Sequence, residues 1–276
     1  MKKIGFILTI GFSWAIGLKA LAFPVDARSL AVSGTGIAYG NNINPAAILS
    51  GDTKQLSFTR NQWLKGISGA NIEHQWQGSY ISLQSAGVDD LELWGDVPDT
   101  DPLGEFGASW ISARFGKGLL LKNSFQFGLE VQLFNSRLYT QQTSGLSSTI
   151  GFRYLLSQNI IMGGIVKGLG YLESELDEVI PKEYGLGAAV SVMPLSSWVT
   201  ADISYHSDLG EIYKFALETK VKYLTFNLGV NEMPENRYLS GGMKFRYRQW
   251  SVAYGLLTQQ TAALGNPQSL QITLHY

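Results

Sequence analysis

The chain has 276 residues, a formal net charge of −1, 45% hydrophobic and 16% charged residues, 31 glycines and no cysteine. Charged residues fall well below the roughly 25% typical of soluble domains, and glycine exceeds the usual ~7%. Disulfide scaffolds, thiolate zinc sites and cysteine nucleophiles are excluded, and the near-neutral charge removes the electrostatic footprint of a nucleic-acid binder.

Residues 1–22 read as a signal peptide. Lys2 and Lys3 form a positive start, 4–18 is mostly apolar, and Ala20-Leu21-Ala22 supplies the small-x-small pattern read by signal peptidase. Gly11, Gly17 and Lys19 interrupt the apolar stretch, which favours cleavage after Ala22 over a retained anchor. No cysteine follows that point, so a lipoprotein is excluded. After residue 22 there is no apolar run of the ~18 residues a spanning helix needs. In 23–53 the glycines Gly34, Gly36 and Gly40 are spaced G-x-G-x-x-x-G without a preceding strand, which is not a phosphate loop. Asn44-Pro45-Ala46 makes a compact turn, because Pro45 fixes its backbone and Asn44 can bond the local chain.

From residue 54 onward the periodicity is two. Phe125, Phe127, Leu129, Val131 and Leu133 alternate with Ser124, Gln126, Gly128, Glu130 and Gln132. Leu224, Phe226, Leu228 and Val230 alternate with Thr225, Asn227 and Gly229 in the same way. Successive strand side chains point to opposite faces, so each segment has one apolar and one polar face. Fourteen strands are expected near 54–63, 67–76, 78–86, 105–115, 123–135, 144–156, 158–169, 183–193, 197–206, 210–220, 222–231, 236–247, 249–258 and 268–276. All eight prolines fall outside them, as the missing N–H requires.

Such alternation fits a soluble sandwich, with its apolar face inward, or a membrane barrel, with its apolar face toward lipid. Three features favour a transmembrane antiparallel β-barrel. The polar parity carries Glu130, Arg153, Lys167, Asp202, Lys214, Glu218, Lys244 and Arg246. Many strands reach the ~9–11 residues that cross a bilayer at a tilt. Aromatic residues such as Trp76, Tyr154, Tyr205, Tyr247 and Trp250 sit at strand ends, where interfacial girdles lie. The expected loops 87–104, 136–143, 170–182 and 259–267 are long and the intervening turns short, which places long loops outside and turns in the periplasm. Leu270, Ile272, Leu274 and the terminal Tyr276 form an every-second-residue pattern that resembles the signal read by the barrel assembly machinery. The expected home is the bacterial outer membrane, with lipid and that machinery as partners and no nucleic acid.

Catalysis is not indicated. His206-Ser207-Asp208 are consecutive, whereas triad members converge from separate places, so a polar hairpin tip is the expected reading. Asp99-Thr100-Asp101 lacks a full calcium ligand ladder, and the chain's three histidines are not clustered for a metal. No cofactor is expected. Loops 87–104 and 170–182 are acidic, and Leu91, Leu93 and Trp94 in the first form a candidate partner-binding loop, because exposed Trp and Leu mark contact sites.

Residues 26–47 resemble the opening of the PorV/PorQ family, within the wider group of FadL-like outer-membrane barrels. The matching residues are Ala27, Arg28, Leu30 and Gly34, then Asn44, Pro45 and Ala46. Leu56-Ser57-Phe58-Thr59-Arg60-Asn61-Gln62-Trp63-Leu64 is similar to the family's aromatic-rich first strand, and Gly-Ala-Ser-Trp-Ile-Ser at 107–112 to its glycine-rich strand. The stretch between Gly40 and Asn44 is shorter than in relatives, which carry an acidic linker there. The resemblance implies that 23–53 enters the barrel as a plug; an ordinary periplasmic arm is the alternative. It also implies a component of a secretion or surface-attachment system that binds protein partners or cargo. The alternative function is a FadL-like channel for hydrophobic small molecules, against which the charged polar parity weighs.

Overall fold

The computed structural model describes residues 24–50, 54–63, 66–93, 102–122, 124–174, 178–234, 236–258 and 265–276. The expected signal peptide lies outside the described residues, as do Trp94 and Asp99-Thr100-Asp101.

Fourteen strands follow in chain order: β1 (Gln55–Gln62), β2 (Ser68–Trp76), β3 (Ser79–Leu93), β4 (Gly104–Lys122), β5 (Phe125–Leu138), β6 (Gln141–Leu155), β7 (Ile160–Ser174), β8 (Glu183–Val192), β9 (Ser197–His206), β10 (Gly210–Val221), β11 (Leu224–Glu232), β12 (Arg237–Tyr247), β13 (Trp250–Thr258) and β14 (Gln268–His275). Each pairs antiparallel with its neighbours in sequence, and β1 pairs with β14 to close the barrel, with Phe58 opposite Ile272 at the seam. Before β1 come a one-turn helix α1 (Ala27–Ala31) and a 3-10 helix (Pro45–Ser50).

The burial pattern is inverted relative to a soluble sandwich. In β1 Ser57, Thr59 and Asn61 are buried while Leu56 and Phe58 are exposed; in β5 Gln126 and Gln132 are buried while Leu129 and Leu133 are exposed. Apolar side chains therefore cover the outside and polar ones fill the lumen, the arrangement of an outer-membrane barrel. Closure leaves no unpaired strand edge, which a wall surrounded by hydrocarbon cannot tolerate. Tyr154, Tyr223, Tyr247 and Trp250 stand exposed near the short turns, and Tyr171, Tyr184 and Tyr205 near the opposite rim.

Several boundaries differ from the expectation. β3 runs on to Leu93 and β4 spans 19 residues from Gly104, so 87–93 of the anticipated loop 87–104 is strand. Asp89 and Asp90 lie at a register shift between Val88 and Leu91, where a bulge absorbs residues that alternation alone could not place. The loop expected at 136–143 is absent: β5 and β6 are joined through Tyr139 and Thr140, with Tyr139 at φ 56° supplying the tight turn. Strands β3–β7 have 14 to 19 residues, whereas the other nine have 8 to 12, so one arc of the wall stands taller.

Leu133 sits on the outer face near the middle of β5, beside the inward-facing Gln132. A Leu133→Arg substitution is expected to destabilise the barrel by ~2–4 kcal/mol, the cost of a cation near the bilayer midplane. Urea unfolding into phospholipid vesicles measures it; Leu133→Arg matching Leu133→Ala in stability would mean that this face does not meet lipid.

Candidate functional site

The described N-terminal segment, 24–50, lies inside the barrel. Asp26 caps α1 by accepting the Ser29 amide at 2.6 Å, and the helix stops where Ser33 and Gly34 take positive φ values of 52° and 69°. Gly36, at φ 142°, then begins a tight turn in which the Gly40 amide donates to the Gly36 carbonyl at 2.6 Å. Asn44 is fully buried and binds in two directions. Its amide nitrogen donates to the Ile37 carbonyl at 2.6 Å and the wall carbonyl of Phe152 at 3.1 Å, and its oxygen accepts from the Ala46 amide at 2.9 Å. Pro45 opens the 3-10 helix, where its missing N–H costs nothing. Asn44, Pro45 and Ala46 are thus brought together against the wall of β5 and β6.

The wall answers the segment's backbone with side chains. Asp202 of β9 accepts the amides of Gly36 at 2.6 Å and Ile37 at 3.1 Å. Arg153 of β6 donates to the Ala38 carbonyl at 2.6 Å, and Ser240 of β12 to the Ala31 carbonyl at 2.8 Å. Arg28 of α1 is ion-paired with Glu218 of β10 at 2.8 Å. Elsewhere the wall recedes. A Cβ at Gly128 would meet Pro45 and Ala46, at Gly151 Asn44, at Gly187 Ile37, at Gly229 Val32 and Ser33, and at Gly255 Ala27. Any larger residue on these lumenal positions would collide with the segment, so glycine there fits a backbone that lies directly on the sheet.

On the long-loop side of this segment lies a cavity of about 430 Å³. Val25, Leu30, Ile43, Trp63, Ile212 and Leu257 give it an apolar strip. Arg114, Glu130, Lys167, Glu183 and Lys214 of its lining pair with one another or with a neighbour in the wall, while Asp208 is in none of the salt bridges of the described residues. Arg114 lies 3.8 Å from Glu73 and 3.6 Å from Glu130, and Glu183 lies 3.1 Å from Lys167 and 3.7 Å from Lys214. Higher in the taller arc, Trp110 stacks on Phe134 at 5.1 Å, covered by Ile180 from the chain that leads into β8. Such a cavity can hold an uncharged molecule on its apolar strip without breaking an ion pair.

Of the other anticipated residues, His206 and Asp208 also line this cavity. Leu91 and Leu93 belong to β3 rather than to a loop, and Leu91 packs toward the Trp63 cluster, because the strand extends past the bulge. Trp94, as noted, falls outside the described residues. Leu270, Ile272 and Leu274 line β14, with Leu270 and Ile272 exposed on its outer face, and the Tyr276 amide donates to the Lys54 carbonyl at 3.0 Å. His206, Ser207 and Asp208 form the β9–β10 hairpin tip, where the Asp208 amide donates to His206 Nδ1 at 3.2 Å. Reading strand by strand missed Asp202, Arg153 and Glu218 as anchors, since their partners lie more than a hundred residues away in sequence; glycines recurring on the lumenal parity were the available signal.

No protein-family profile and no curated protein matches the chain. Solved structures do. The toluene transporter TodX of Pseudomonas putida aligns with a TM-score of 0.62 at 14% identity, covering 91% of this chain and 96% of that one. The CymD monoaromatic hydrocarbon channel aligns at 0.59 and 13%, over 91% and 97%. The fold is that of the TodX barrel. At such identity the likeness shows the fold alone, and nothing in it points to PorV or PorQ in particular.

Losing the Asp202 carboxylate would leave two buried amides without an acceptor, a cost of ~1–3 kcal/mol. The chain has no cysteine, so Ala38→Cys, at a fully buried position, reports on the segment alone. Asp202→Ala in that background is expected to raise the rate of thiol labelling roughly 5- to 140-fold, since 1.4 kcal/mol is tenfold. An unchanged rate would show that Asp202 does not hold the segment.

Proposed function

We propose that the protein is an outer-membrane channel that admits hydrophobic small molecules through the cavity above the plug. The observation that carries this reading is the pairing of the lumenal charges. The charged parity of the strands weighed against an apolar route, yet Arg114, Lys167 and Lys214 are matched by Glu73, Glu130 and Glu183, and Val25, Leu30, Ile43 and Trp63 give the cavity an apolar part beside them. The match to a toluene transporter and to a hydrocarbon channel supports the same reading. The secretion reading, which leaned on those charges, has no comparable support. The segment lies below the cavity, so a ligand leaving the cavity must pass it or exit sideways. Export by a signal peptide, cleavage after Ala22 and insertion by the barrel assembly machinery complete the proposal.

The test is uptake of labelled toluene, at limiting concentration, by cells of an outer-membrane bacterium expressing the chain. Uptake several-fold above the empty-vector strain is expected, with a loss in Ile43→Arg, which places an unmatched cation on the apolar strip. Uptake equal to the vector control, with the barrel present in the membrane, would overturn the channel reading.

A further inference from the structure

Below the plug, at the short-turn end, the lumen has a different character. Lys220 shares the lumenal parity of Lys214, Ala216 and Glu218 on β10; Lys244 and Arg246 share that of Ser240 and Gly242 on β12. The register aligns them. Lys220 lies opposite Thr225, Thr225 opposite Lys244, and Arg246 one step lower opposite Ser251, whose hydroxyl is 3.1 Å from His275 Nε2. With strands about 4.8 Å apart, Lys220 and Lys244 are separated by about 10 Å of wall. Among the described residues none of these three cations forms a salt bridge. The nearby carboxylates are already engaged: Glu218 by Arg28, and Asp26 by Ser29 and Asn42.

Beside these cations lies an aromatic floor. Trp198, opposite Glu218 on β9, stacks on Tyr39 of the plug with ring centroids 4.6 Å apart, and the Arg28 guanidinium lies over Tyr39 at 5.2 Å. Both rings are only half-buried. Neither the cations nor this stack line the upper cavity. The lumen therefore has two chemically distinct regions: an upper cavity in which Arg114, Lys167 and Lys214 are matched by carboxylates, and a short-turn end where Lys220, Lys244 and Arg246 form no salt bridge among the described residues and lie beside a stacked aromatic pair.

We propose that the lower vestibule is a binding site for a small organic anion. Lys220, Lys244 and Arg246 hold its carboxylate, and its apolar body lies along Trp198 and Tyr39. The same anion competes with Glu218 for Arg28, so occupancy from the periplasmic side loosens the ion pair that ties α1 to the wall. This site goes beyond the hydrocarbon reading and stands without it.

The experiment uses the full chain in detergent, with tryptophan fluorescence as readout and benzoate, benzyl alcohol and inorganic phosphate as probes. Benzoate is expected to change the signal saturably, the change being lost in Trp198→Phe. Phosphate is expected to displace benzoate, and the neutral benzyl alcohol to bind at least tenfold more weakly. Lys244→Met with Arg246→Met should weaken benzoate about tenfold or more, the equivalent of one lost charge-assisted hydrogen bond. Should that pair fail to give the compact, heat-modifiable band of a folded barrel, the exposed Lys220→Met decides, with a severalfold loss expected. Benzoate binding that ignores these substitutions, equals that of benzyl alcohol or resists phosphate overturns the proposal. Toluene uptake is read separately, so either outcome there leaves the vestibule result standing.

Discussion

A wall surrounded by hydrocarbon must pair its own backbone N–H and C=O groups, and everything else in this molecule adapts to that requirement. Closure of β1 on β14 meets it for the strands. The plug inherits the problem in another form, because 24–50 brings irregular backbone into a crowded interior with little regular structure to satisfy it. The lumen solves it with side chains: Asp202 accepts two adjacent amides, Arg153 and Ser240 donate to carbonyls, and Asn44 reaches back from the segment to a wall carbonyl. Charged groups that suggest a water-filled pore thus serve partly as backbone partners and partly as one another's counter-ions.

Glycine is the steric counterpart of this chemistry. Gly128, Gly151, Gly187, Gly229 and Gly255 stand on five different strands, and each leaves a hollow filled by a particular plug residue. In an isolated strand glycine costs order and packing. Here it permits backbone to approach backbone, and the lost side-chain contacts are replaced by those of the plug. The glycine excess of the composition therefore has a cause beyond turns.

How much of this was legible in the sequence follows from the range of each interaction. Alternation such as that of Phe125 to Leu133 is local, so the strand number and the barrel were readable from it. Boundaries failed where a local irregularity intervened: the bulge after Val88 broke the parity, and the two-residue turn at Tyr139 carries neither glycine nor asparagine to announce it. Asn44-Pro45-Ala46 was readable as a compact turn because its bonds run within a few residues. Its contact with Phe152, like the pairing of Arg28 with Glu218, joins the N-terminal segment to a strand more than a hundred residues away, and no spacing encodes that. The lumenal ion pairs are the sharpest case, since the charges were visible one strand at a time while their neutralisation exists only between strands.

The two ends of the plug rest on different arcs of the wall: α1 packs against β11–β14, and the 3-10 helix against β3–β6. The segment is thus a strut braced across the lumen rather than a cork held at its rim. A strut carries load in both directions, so it keeps the shorter and taller arcs at a fixed spacing as well as blocking the way between them. Releasing α1 alone would leave the segment held through Asp202, Arg153 and the 3-10 helix, so any opening would run along the β11–β14 arc.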